Sequence, residues 1–185
     1  MKKGIPITGG KRKGGKIKVP KGIRPTQGIV KRSLFDSLGT WIQDKTVLEI
    51  FAGSGAIGFE ALSRGASFCI FVEKARAGFM VIKDNAEFLG FKDKVKVLRG
   101  DYLRVLNDLI KKEEKFHFIF ADPPYTLTVF DPLFKRVAQL LDENGLFVIE
   151  VRKHTILPNK FLNLKKEKEV SFGQSKLAYY SCIPG

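Results

Sequence analysis

The chain is 185 residues long with 44% hydrophobic and 28% charged residues, which supports a packed core in a single domain and excludes general disorder. Its 33 Lys/Arg against 19 Asp/Glu leave a formal net charge of +14 at pH 7, the balance of a protein with a polyanionic partner. Cys69 and Cys182 offer neither metal-ligand spacing nor a disulfide framework, and no apolar run approaches the roughly 18 residues needed to span a bilayer, so a soluble, cytoplasmic, metal-free protein with no membrane association is expected.

The charge is concentrated at the start. Residues 1–36 carry 11 Lys/Arg and the single acid Asp36, a local balance of +10. Clustering of this kind is the footprint of nucleic acid, with salt-sensitive binding through counterion release. A solubilising tail or an anionic-membrane patch is the alternative, although the segment lacks an amphipathic apolar face. Ile5, Ile7 and then Ile17, Val19 alternate around Gly9-Gly10-Lys11-Arg12-Lys13-Gly14-Gly15, which predicts a small hairpin with a mobile, basic tip. Thr26 is a candidate N-cap for a helix in which Ile29, Val30, Leu34 and Leu38 recur at helical spacing before Gly39. Residues 1–39 therefore read as a basic extension and 40–185 as the main domain.

From residue 45 the pattern alternates. Strands are predicted at Thr46–Phe51, Phe68–Val72, Val95–Leu98, Phe116–Ala121 and Gly145–Val151, with helices at Ala56–Ser63, Ala75–Leu89, Tyr102–Lys112 and Pro132–Leu141. Five strands separated by helices indicate an α/β fold with a doubly wound, mostly parallel sheet. Leu164–Val170 and Lys176–Ser181 then read as a closing antiparallel hairpin. Such sheets bind ligands beyond the C-terminal ends of their strands, where the informative motifs fall.

Gly53-Ser54-Gly55-Ala56-Ile57-Gly58 follows the first of these strands and opens a helix, with Glu73 at the end of the next strand. This is the dinucleotide fingerprint on paper. The roughly 100 residues after Glu73 contain nothing resembling a hydride-transfer domain, however, and Glu49 would put an acid where a pyrophosphate brings negative charge. S-adenosylmethionine carries a sulfonium and an ammonium, and an acid suits it. The glycines would let the backbone approach its methionine and ribose portion, Glu73 would accept both ribose hydroxyls, and Asp101 would accept the adenine amine with Tyr102 packing nearby. Each acid also has a purely structural alternative: Glu49 capping a helix or pairing with Arg24, Glu73 pairing with Lys74 or Arg76, and Asp101 capping the helix after it. His117 and His154 have no partner for a triad or metal site.

Asp122-Pro123-Pro124-Tyr125 ends the fourth strand of the alternating series. It is either an ordinary proline-fixed loop entry or a grip for an aromatic amine. A nucleobase amine is a poor nucleophile because its lone pair is delocalised. A carboxylate and a proline-flanked carbonyl can each accept one of its N–H groups and aim that lone pair, while an aromatic ring stacks on the base.

Taken together, Ile17-Lys18-Val19-Pro20, Arg24-Pro25-Thr26, Val30-Lys31-Arg32-Ser33-Leu34-Phe35, the run Leu48 to Ala66, Phe71-Val72-Glu73-Lys74 and Phe120-Ala121-Asp122-Pro123-Pro124-Tyr125 resemble the RsmD-type 16S ribosomal RNA guanine-N2 methyltransferases. These belong to the class I, Rossmann-like, S-adenosylmethionine-dependent fold. The resemblance implies methylation of a guanine N2 amine in small-subunit rRNA or the assembling 30S subunit, with S-adenosylhomocysteine as product; a monomer is expected. It implies catalytic roles for Asp122, Pro123, Pro124 and Tyr125, with the base flipped out of its stack. Cofactor binding falls to Glu49, Phe51, Ala52, Gly53, Gly55, Glu73, Lys74, Asp101 and Tyr102, and RNA binding to Lys11, Arg12, Lys13, Arg24, Thr26 and Arg32. Lys31-Arg32 departs from the family's usual Arg-Glu, which puts any ion pair made by that Glu in question. An N6-adenine methyltransferase and a non-catalytic RNA-binding assembly factor are the alternatives.

Overall fold

A computed structural model describes residues 4–22 and 28–183. In chain order, a short hairpin of β1 (Ile5–Pro6) and β2 (Lys16–Ile17) leads to α1 (Gly28–Leu38). Strands and helices then alternate through β3 (Thr46–Ile50), α2 (Ala56–Ser63), β4 (Phe68–Glu73), α3 (Arg76–Phe88), β5 (Val95–Arg99), α4 (Tyr102–Lys111), β6 (Phe116–Ala121) and α5 (Asp131–Leu140). The chain closes with β7 (Leu141–Arg152), β8 (Lys160–Phe161), β9 (Leu164–Phe172) and β10 (Ser175–Cys182). The expected N-cap Thr26 lies outside the described residues.

Eight strands form one sheet in the order β5-β4-β3-β6-β7-β10-β9-β8. Neighbours from β5 to β7 are parallel, and β10 enters antiparallel to both β7 and β9. Central strands are apolar on both sides because both faces are covered. Val47, Phe118 and Phe120 share a core with α1, α2 and α3, whereas Leu48, Ile119 and Phe147 share one with α4 and α5.

Two elements differ from expectation by more than a residue or two at their ends. β7 begins at Leu141, directly from α5, rather than at Gly145. Asp142 accepts the Asn144 N–H at 3.0 Å, and the β6–β7 register shifts between Phe116 and Phe118, so turn-forming residues are absorbed as an irregularity within the strand. The two-residue β8 is too short to leave a periodic signal.

The hairpin tip, expected to be mobile, is docked against the end of α2. Ser63 Oγ donates to the Gly9 carbonyl at 2.6 Å and accepts the Arg12 N–H at 2.9 Å. Gly10 has φ +73°, and a Cβ there would come within 1.8 Å of the Ser63 carbonyl. Its glycines permit close backbone approach, and the same lack of side chains that suggests mobility in a sequence allows this contact. Ile5, Ile7 and Ile17 are buried in the core of α1 and α2. Among the described residues no helix is long and apolar enough to cross a membrane.

Candidate active site

β3 lies between β4 and β6, where the winding of the sheet reverses. Beyond the C-terminal strand ends at this point opens a cavity of about 650 Å³, the usual ligand position and size for an open α/β sheet. Glu49 and Phe51 to Gly53 reach it from β3, Glu73 and Lys74 from β4, and Asp101 and Tyr102 from the β5–α4 junction. Asp122 to Tyr125 reach it from the end of β6, and Glu150 from β7. Every candidate for catalysis and for cofactor contact lines this cavity except Gly55. That glycine, at φ +78°, precedes α2, and a Cβ on it would meet Phe59 at 2.7 Å and Phe71 at 2.9 Å. Gly55 therefore serves close helix-to-sheet packing.

The acids are held by backbone amides. Glu73 accepts the Gly53 N–H and the Ala75 N–H, each at 2.7 Å, so its carboxylate fixes both turns while further lone pairs remain for a ligand. The suggested pairing of Glu73 with Lys74 is replaced by a 3.8 Å contact between exposed Lys74 and Asp101. Asp101 caps α4, accepting the Leu103 N–H at 3.0 Å, and lines the cavity as well. Glu49 is 3% exposed and accepts the Gly58 N–H at 2.7 Å and the Ile57 N–H at 3.4 Å. Burial pushes its carboxyl up to about 8 against the pull of these two amide bonds, and the charges of Asp122 and Glu73 push the same way.

Aromatic groups complete the wall. Phe51 holds φ +59°, an uncommon left-handed backbone for a bulky residue, and its ring lies 4.8 Å from that of Tyr102. In the Asp122 turn, the Asp122 N–H donates to the Ile50 carbonyl at 3.4 Å and the Leu127 N–H to the Pro124 carbonyl at 2.8 Å. Tyr125 is 41% exposed, with the Arg152 guanidinium 4.3 Å from its ring centroid. Glu150 and Arg152 were absent from the sequence-based candidates. Glu150 carries the same signal as the others, an acid near the C-terminal end of an apolar strand. Among the described residues no group of three or more His, Cys, Asp or Glu side chains could hold a metal ion.

The basic candidates lie elsewhere. Lys11, Arg12 and Lys13 are exposed beside Ser63, at the opposite end of α2 from the cavity-lining Ser54, a helix of eight residues spanning about 12 Å. Arg12 also lies over the Phe91 ring. Arg32 is exposed on α1, and Arg24 and Thr26 fall outside the described residues. Lys31 is fully buried and so contributes nothing to a surface charge footprint.

Comparison with known proteins agrees with this architecture. The family described as Conserved hypothetical protein 95 matches residues 5–181. Ribosomal RNA small subunit methyltransferase D of Escherichia coli is 33% identical over 190 residues, covering 95% of this chain and 89% of that protein. YlbH of Bacillus subtilis is 34% identical over 183 residues, covering 94% and 97%. The solved yhhF structure from Escherichia coli superimposes with a TM-score of 0.87 at 30% identity, covering 98% of this chain and 99% of its own. A family match running from β1 into β10, with one-third identity to relatives across nearly the whole chain, makes this protein a member of that family, the RsmD-like methyltransferases.

Proposed function

We propose that the protein transfers a methyl group from S-adenosylmethionine to the exocyclic N2 amine of a guanine in small-subunit (16S) rRNA, releasing S-adenosylhomocysteine. The observation that carries this reading is the convergence of the Asp122 turn with Glu49, Glu73 and Asp101 on one cavity. The donor set suits a cation with a diol and an adenine: carboxylates for the ammonium and the ribose hydroxyls, Asp101 for the adenine amine, and the Phe51 and Tyr102 rings for its face. S-adenosylmethionine supplies an electrophilic methyl. Asp122 and the Pro123 carbonyl each accept one N–H of the target amine, since the Pro124 carbonyl already closes the turn onto Leu127, and Tyr125 stacks on the flipped base. With the amine so held, an N–C bond would form as the donor's C–S bond breaks toward sulfur, and the proton of the resulting cationic amine would pass to solvent, so no dedicated base is required. Incubation with labelled cofactor and unmodified ribosomal subunits, followed by nuclease mapping and mass spectrometry, tests the reading. Label on adenine N6, or no label on small-subunit rRNA, overturns it.

Proton linkage follows from Glu49. Its carboxyl holds a proton up to about pH 8 in the free protein. A bound cation beside it lowers that value, so the complex holds fewer protons than the free protein between the two values. Cofactor affinity is therefore expected to rise from pH 6.5 toward 8, with proton release seen as buffer-dependent calorimetric heats at pH 7. Glu49→Gln is expected to abolish the release. Buffer-independent heats in the wild type would separate Glu49 from the cationic part of the ligand.

The basic tip supplies a second expectation. Converting Lys11, Arg12 and Lys13 to Glu is expected to weaken RNA binding and flatten the slope of log affinity against log salt by about 2 or more. Because the tip sits away from the cavity, kcat at saturating RNA is expected to stay near the wild-type value. An unchanged salt slope would place the RNA path on another face.

A further inference from the structure

Glu150 has no part in the chemistry above, although it faces the same cavity. It is 6% exposed and lines the wall with Asp122. Ala121 pairs with Ile149 on the adjacent parallel strand, so Asp122 and Glu150 follow at the same level, with neighbouring strands about 4.8 Å apart. Two acidic side chains thus line the cavity from adjacent strand ends, on the side proposed to receive the target base. Such a pair of acceptors answers a requirement of the base. On the Watson–Crick edge of guanine the N2 amine is flanked by a second donor, N1–H, whereas the amines of adenine and of 2-aminopurine lie beside a bare N1 acceptor. A carboxylate complements the first arrangement and repels the second, and burial magnifies the penalty for a mismatch.

We propose that Glu150 selects guanine by accepting its N1–H while Asp122 holds the N2 amine. The inference rests on the guanine-N2 reading of the function. It assigns the discrimination among purines to a residue on β7 rather than to the Asp-Pro-Pro-Tyr turn, which can grip either purine amine.

The test uses the full-length protein and ribosomal RNA carrying either guanine or 2-aminopurine at the target position, with Glu150→Gln as the variant. The glutamine amide keeps the shape of the side chain and can donate to a bare N1. The wild type is expected to favour guanine by about 10²-fold or more in kcat/KM. Glu150→Gln is expected to lose about 10²-fold on guanine while improving relative to it on 2-aminopurine, narrowing or inverting the preference. An equal fall on both bases would make Glu150 merely structural and overturn the proposal. Equal wild-type use of guanine and 2-aminopurine would overturn it without the variant, so a misfolded Glu150→Gln leaves a decisive arm. Wild-type methylation of adenine N6 with none at guanine N2 would show that the underlying functional reading had failed, an outcome distinct from a selectivity error at an otherwise methylated guanine.

Discussion

Replacing Asp122 with alanine is expected to lower kcat about 10²- to 10³-fold on the RNA substrate while S-adenosylmethionine affinity stays within about threefold of wild type or tightens. The turn should survive the change. Its shape rests on the Asp122 N–H bond to Ile50, the Leu127 N–H bond to Pro124 and two consecutive prolines with fixed φ, none of which uses the carboxylate. On the proposed mechanism, what is lost is the charged acceptor that would orient the target amine. Glu49 and Glu73, the acids proposed to face the cofactor, sit on other strands, and the charge of Asp122 helps to keep Glu49 protonated. Removing that charge eases Glu49 ionisation and favours a cationic ligand near neutral pH. Asp122→Asn retains one acceptor oxygen and is expected to lose about tenfold less than alanine. Rapid-quench turnover beside calorimetric titration separates the two effects, and wild-type turnover in Asp122→Ala would remove Asp122 from the reaction.

The parts of the molecule visible in the sequence were those governed by local chemistry. β6 and α2 match their expected ranges to the residue, because an apolar run buried on both faces and a glycine turn opening a helix are both short-range signals. The strand-end acids were visible for the same reason. What could not be read were pairings between distant segments. Glu150 is brought level with Asp122 by the Ala121 to Ile149 register, and Arg152 on β7 reaches Tyr125 in the turn after β6. Local composition also misled. Lys31 counted toward the basic arm but is buried in an ion pair with Glu60, and the Gly-rich tip looked mobile although its glycines dock it against α2. Where the resemblance implies Arg-Glu, Lys31 at the first position makes a buried pair with Glu60. At the second, Arg32 is exposed.

That buried pair carries the largest expected stability effect. Glu60 is fully buried and is the hub of four contacts: Lys31 Nζ at 2.5 Å, Arg64 Nε at 2.9 Å, Thr8 Oγ1 at 2.8 Å and the Thr8 N–H at 3.0 Å. Lys31 also donates to the Pro6 carbonyl at 2.5 Å. One carboxylate thereby ties the hairpin, α1 and α2 together. Burial alone would raise the Glu60 carboxyl, but its bonds to Lys31, Thr8 and Arg64 outweigh that and hold it below its ordinary value of 4.5. Its stabilisation is therefore fully present above that ordinary value and is lost as pH falls through the lower folded one. Glu60→Ala strands a buried ammonium and is expected to cost about 3–5 kcal/mol in denaturant unfolding, with the acid-side loss from this group gone. Lys31→Met leaves Glu60 with Arg64 and Thr8 and should cost less. The double variant Lys31→Met/Glu60→Leu is expected to be more stable than the sum of the two single changes implies, because it leaves neither buried charge alone. Strict additivity in that cycle would mean that Lys31 and Glu60 contribute independently, and that the hairpin is fastened through its apolar contacts instead.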